Sequence, residues 1–145
     1  MSRHYTFIDL FAGAGGLSEG FERAGCTPLA HIEMDKAACD TLRTRAVFHY
    51  LDSHGQIGLY EEYLANKPYV KREDFWRKAP KNVTDTVIQA EIKNETLEGI
   101  FSEVDRLCGC KPVDLIIGGP PCQAYSLVGR ARVGSEAIKR DPRNE

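Results

Sequence analysis

Two short apolar runs, each breaking into a glycine turn, constrain the fold of this chain more than any other feature. Thr6-Phe7-Ile8-Asp9-Leu10-Phe11 runs into Gly13-Ala14-Gly15-Gly16. Val113 to Ile117 runs into Gly118-Gly119-Pro120-Pro121-Cys122-Gln123. Short apolar runs bounded by turn residues read as strands covered on both faces. Between them the hydrophobic period alternates. Leu17 to Ala24 carries Leu17, Phe21 and Ala24 at spacings of four and three, which predicts a helix with those residues inward and Gly25 ending it. Leu29 to Ile32 is a second strand that finishes at Glu33. Asp35 caps a helix through about Arg45, with Ala38 and Leu42 inward. Val87 to Ile92 is a third strand. Leu97 to Leu107 is a helix with Ile100, Phe101, Val104 and Leu107 on one face. From about 47 to 82 the pattern weakens around a short helix at Glu61, Tyr63 and Leu64, and Trp76 is expected to pack within this surface insertion.

Strands alternating with helices predict an α/β fold built from right-handed crossovers: a partial, doubly wound, Rossmann-like parallel sheet of order 3-2-1-4. That order puts the carboxyl ends of strands one and four side by side at the switch point, where ligands bind. The glycine turn and the Cys122 loop then face each other. Neighbouring strands lie about 5 Å apart, so groups held on the two loops are within reacting distance.

Length and composition narrow the class. At 145 residues the chain is one domain. With 42% hydrophobic and 28% charged residues it is not disordered, and a net charge of -2 argues against a general polyanion binder. The charge is uneven: residues 129–145 carry a net +2. The five cysteines have no framework spacing, and no apolar run is long enough for a membrane span. These features predict a reducing cytoplasm. Asp141-Pro142 resembles a helix start with no helix after it, which suggests a fragment or one half of a split protein.

Three constellations carry chemistry. The strand–turn–helix at Phe11 to Gly16 suits close backbone approach to a ligand, with free amides at the helix start. Its spacing is G-x-G-G, with Ser18 where a dinucleotide fold has its third glycine; a purely structural turn is the alternative. Glu33 stands twenty residues past Gly13, where a carboxylate can accept from ribose hydroxyls or simply favour the next helix. Cys122 sits on a stiff Gly-Gly-Pro-Pro loop that presents a thiol, against the alternative of a small buried residue. Cys108-Gly109-Cys110 and the four histidines lack ligand spacing, so no metal is expected.

Phe7 to Leu17, then Glu33-Met34-Asp35, then Gly119-Pro120-Pro121-Cys122-Gln123-Ala124-Tyr125-Ser126 resemble the opening motifs of the DNA cytosine-5 methyltransferases, in order. The resemblance implies an S-adenosylmethionine-dependent methyltransferase fold. It implies Phe11 against the adenine and Ala12-Gly13-Ala14-Gly15-Gly16 along the methionine part, with Asp9 near its amino group. Glu33 would hold the ribose and Met34 the base; Glu91 and Ile92 would face the adenine from strand three, and Pro120 would line the cofactor side of the cysteine loop. Cys122 would attack C6 of a cytosine flipped from double-stranded DNA. Gln123, Ser126, Arg130 and Arg132 would contact DNA.

On this resemblance residues 1–145 form the N-terminal portion of a catalytic domain. Its remaining acid, arginine motif and target recognition region come later. The isolated chain is then expected not to methylate DNA, and to need the remainder, either joined to it or as a separate chain. An open sheet edge also allows self-association. A transfer-RNA cytosine-5 methyltransferase, a non-catalytic subunit of a split enzyme and a nucleotide-dependent oxidoreductase stand as alternatives. The implied setting is a bacterial cytoplasm, at the nucleoid when on DNA.

Overall fold

Parallel strand pairing organises the molecule, as seen in a computed structural model that describes residues 4–67 and 69–120. The elements run β1 (Thr6–Leu10), α1 (Gly16–Arg23), β2 (Thr27–Glu33), α2 (Lys36–Ser53), α3 (Gly58–Ala65), α4 (Arg72–Trp76), α5 (Lys81–Thr84), β3 (Val87–Gln89), α6 (Asn94–Cys108) and β4 (Leu115–Gly118). The sheet order is β3-β2-β1-β4 and every pairing is parallel. This is the α/β, Rossmann-like arrangement expected from the alternation of periods.

The register decides which side chains meet. Asp9 of β1 lies beside His31 of β2 and Ile117 of β4. The β1–β2 register shifts between Phe7, opposite Pro28, and Ile8, opposite Ala30. Pro28 has no N–H to give a ladder, so an irregularity there costs little. Ile8, Leu29, Ala30 and Ile32 form one core with Ile100 and Cys108 of α6. On the other face Phe7 meets the Phe21 ring of α1 at 5.6 Å and the His31 ring edge-on at 6.3 Å. At the end of β4, a Cβ added to Gly118 would collide with the Leu10 carbonyl oxygen. The absence of a side chain is what lets β4 close on β1 at that point.

Three features differ from the sequence reading. The inward residue of α1 is Ser18, 2% exposed, whereas Leu17 is 46% exposed and Ala24 is also exposed. The buried Asp9 explains this, because Ser18 supplies the donor its carboxylate requires. A second difference is that α2 runs to Ser53 rather than about Arg45. Its first half buries Cys39 and Leu42 against Ala12 and Val87, and its second half buries Val47 and Leu51 against a different partner. Two apolar stripes on different sides blur the single-face period. The third difference is at β3, which stops at Gln89, so Glu91 and Ile92 lie beyond it.

The second half of α2 together with α3 to α5 has a core of its own. Val47, Leu51, Tyr63 and Phe75 form that core, with Trp76 against it. Tyr63 and Phe75 stack at 4.3 Å. The Trp76 indole N–H donates to Thr44 Oγ1 at 3.0 Å, which ties α4 to α2.

Candidate cofactor site

The carboxyl ends of β1 and β2 shape the site. Leaving β1, Phe11 adopts φ +56°, a left-handed conformation that side chains rarely accept. Two ties follow it directly. The Ala12 N–H donates to the Ile32 carbonyl at 3.1 Å, and the Gly13 N–H donates to Glu33 Oε2 at 2.8 Å. The turn then closes through Gly15 N–H to the Ala12 carbonyl at 3.0 Å. Gly13 and Gly15 have φ of +55° and +85°. A Cβ on Gly15 would also come within 2.8 Å of Leu42. A Cβ on Gly13 or Gly16 would meet nothing within 4 Å, so open space lies against the turn.

Glu33 ends β2 and turns its carboxylate back on the backbone. Besides Gly13, it accepts from the N–H groups of Met34 at 2.9 Å and Asp35 at 2.8 Å, both on Oε1. Asp35 in turn caps α2, accepting from the Ala38 N–H at 2.8 Å. Phe11 and Met34, each following a strand end, stand 36% and 62% exposed. Two exposed apolar side chains beside a carboxylate and an open glycine turn suit a flat apolar ring attached to a diol. The residues present thus fit an adenosine-containing cofactor.

The remaining predicted site residues are placed as follows. Asp9 is fully buried, with Ser18 Oγ donating to its Oδ2 at 2.5 Å, while its Oδ1 has no partner among the described residues. It therefore lies under the turn. Burial raises its pKa, against the pull of the Ser18 hydrogen bond and with the Glu33 charge adding to the rise. Ser18, which holds this carboxylate, is not among the residues expected from the sequence; its one signal was its position where the third glycine of a dinucleotide motif would stand. Glu91 is exposed and pairs with Lys93 at 2.9 Å, and Ile92 packs on the core under α6. Ala14 and Pro120 are exposed, Pro120 two residues past β4. Cys122, Gln123, Ser126, Arg130 and Arg132 lie outside the described residues.

A second polar group lies between α1 and α2, beside a cavity of about 730 Å³ that no residue of the glycine turn lines. Glu19, Glu22 and His49 place ligand-type atoms within 4.8 Å of one another. Glu19 is already claimed by Arg23 at 2.8 Å, Arg45 at 2.5 Å and His49 at 2.9 Å. Burial would raise its pKa, but these hydrogen bonds and charges win and hold it at about 2. An ion network joining the helices accounts for the group.

His31 lines the same cavity, 5% exposed, and its Nδ1 has no partner among the described residues. Burial, with the Arg45 charge, lowers its pKa from 6.5 to about 4. The unfolded chain therefore takes up a proton that the folded chain refuses. Stability from this group is complete above pH 6.5 and is lost as pH falls to about 4, by about 3 kcal/mol. Asp9 acts in the opposite sense, because its raised pKa makes its protonation stabilising on acidification. Urea denaturation across that range should show a steep acid loss that His31→Phe flattens; equal slopes for the two proteins would refute the assignment.

With that geometry in place, the fold is a Rossmann-like α/β domain with an open glycine turn at its strand ends. Comparison with known proteins narrows the class. Residues 5–59 match the family described as C-5 cytosine-specific DNA methylase. The chain is 34% identical to the type II methyltransferase M.Bpa9945I of Bacillus paralicheniformis, over 94% of this chain and 35% of that protein. It is 30% identical to the type II methyltransferase M1.HphI of Haemophilus parahaemolyticus, over 96% of this chain and 26% of the relative. It is also 32% identical to the type II methyltransferase M.AquIA of a Picosynechococcus species, over 94% and 38%. The chain belongs to the C-5 cytosine-specific DNA methylase family. It spans about a third of the length of these relatives. No solved structure gives a significant match. Among the described residues, no helix is long and apolar enough to cross a membrane.

Proposed function

We propose that this chain forms the cofactor-binding and nucleophile-bearing part of an enzyme that methylates C5 of cytosine in double-stranded DNA. The observation that carries the reading is the joined pair of strand ends, where the open glycine turn and the Glu33 carboxylate share a hydrogen bond between exposed Phe11 and Met34. S-adenosylmethionine, when bound, would supply an electrophilic methyl group on a sulfonium. Phe11 and Met34 would hold its base, Glu33 a ribose hydroxyl, and the turn from Ala12 to Gly16 its amino-acid part. Asp9 and Ser18 would support that turn from below.

Strand β4 lies beside β1, so the chain leaves the sheet after Gly118 next to the turn. The Cys122 thiolate would add to C6 of a cytosine flipped out of the duplex. The electrons of the C5–C6 double bond then become available at C5, which takes the methyl group. Loss of the C5 proton to a base expels the thiolate and restores the ring. Gln123, Ser126, Arg130 and Arg132 would meet the DNA. The groups that assist at the base and read the target sequence are assigned to segments outside this chain, whether covalently joined or separate. A bacterial cytoplasm is the matching location.

The test is calorimetry of the whole chain with S-adenosylhomocysteine, the demethylated product. Saturable heat with a Kd of about 10–100 µM, and none with NAD, is expected. Heat with NAD and none with the adenosylated ligand would overturn the reading.

A further inference from the structure

We propose that Glu33 is a positioning residue for the glycine turn as well as a ribose acceptor: its carboxylate clasps the β1–α1 turn to the β2–α2 turn and keeps the cofactor floor in shape before any ligand arrives. This rests on the cofactor reading above. A carboxylate serving only as a hook for a diol would stand in solvent with its oxygens free. Glu33 instead is half-buried and accepts three backbone N–H groups, from Gly13 on Oε2 and from Met34 and Asp35 on Oε1. An ionised carboxylate has about four acceptor positions. Three are filled from within the chain, leaving about one for a ligand hydroxyl.

What the clasp holds is the least comfortable backbone among the described residues. Among the described residues, Phe11 is the one non-glycine residue with positive φ. Such a conformation persists only where its surroundings over-determine it. The links from the following residues to β2 are the Ala12 N–H to Ile32 and the Gly13 N–H to Glu33. The first fixes the exit of Phe11. The second is the point where the turn itself, with φ of +55° at Gly13, is tied down. Removing the carboxylate frees Gly13 and, through it, the orientation of the Phe11 ring.

Two measurements on the whole chain separate clasp from hook. The first needs no ligand: amide hydrogen exchange at Gly13 in the parent, Glu33→Ala and Glu33→Gln, with the β1 amides as the internal standard for an intact fold. Gly13 exchange is expected to rise at least tenfold in Glu33→Ala while β1 is unchanged. Glu33→Gln keeps the volume but turns an NH₂ toward one of the N–H donors, and decides the matter if the alanine variant does not fold. The second is calorimetry with S-adenosylhomocysteine and with its 2′,3′-dideoxy analogue. A clasp predicts a tenfold or greater loss of affinity for both ligands in the variants. Unchanged Gly13 exchange, or a dideoxy analogue bound as tightly by the variants as by the parent, would overturn the proposal. If the parent binds neither ligand, the cofactor reading fails on its own; faster Gly13 exchange then still supports the clasp, and unchanged exchange overturns it.

Discussion

Serine in place of Cys122 is expected to lower methyl transfer to cytosine by at least about a thousandfold in the complete enzyme that carries this chain. The reason lies in the reacting base. C5 is too poor a nucleophile to take a methyl group until a nucleophile has added at C6, and a serine hydroxyl is far less ionised at neutral pH than a cysteine thiol. Cofactor affinity should stay within about twofold, because the site on β1 and β2 is built without Cys122. A duplex with fluorine at C5 gives a direct readout. Fluorine cannot leave as the proton does, so the parent should remain covalently joined to the DNA and the serine variant should not. A covalent product formed equally by both would remove Cys122 from the role.

Phe75→Ala is expected to cost about 3–5 kcal/mol within the α3–α5 region and to spare the cofactor site. Phe75 is 1% exposed and stacks on Tyr63 in a core separate from the sheet. The turn that would hold the cofactor rests on Cys39, Leu42 and Val87 instead. Hydrogen exchange should therefore quicken across residues 58–84 while β1 and β2 keep their protection. Equal loss of protection in the strands would show that the two cores melt as one unit.

The parallel sheet was legible because β1, β2 and β4 are short apolar runs that break at a glycine turn or at Glu33, whereas the end of β3 carries no such mark. Strand order followed from crossover handedness and the switch point, and the pairing β3-β2-β1-β4 agrees. The inner face of α1 was legible only at Phe21, which meets Phe7. Spacing alone favoured Leu17, Phe21 and Ala24, but a carboxylate buried on β1 outweighs one more apolar contact and draws Ser18 inward. The length of α2 was hidden for a related reason, since a helix serving two cores has no single stripe. At the candidate site, the motifs single out Gly13 and Glu33 but not the bonding between them. Nothing in the spacing of Gly13 and Glu33 says that the two touch, or that the carboxylate has three internal donors.

The bare Gly118 opposite Leu10 also has a bearing on how freely this chain can vary. It pins the start of the cysteine loop to the residue that precedes the glycine turn. Cys122 comes four residues later, and four residues of extended chain reach at most about 14 Å. By chain length alone Cys122 is thus leashed to within about 14 Å of Gly118, whatever happens elsewhere. Segments such as α3 to α5 can lengthen, shrink or be exchanged without altering that leash, because they enter the sheet on the far side of β2. Lengthening by one residue between Gly118 and Cys122 would alter it directly.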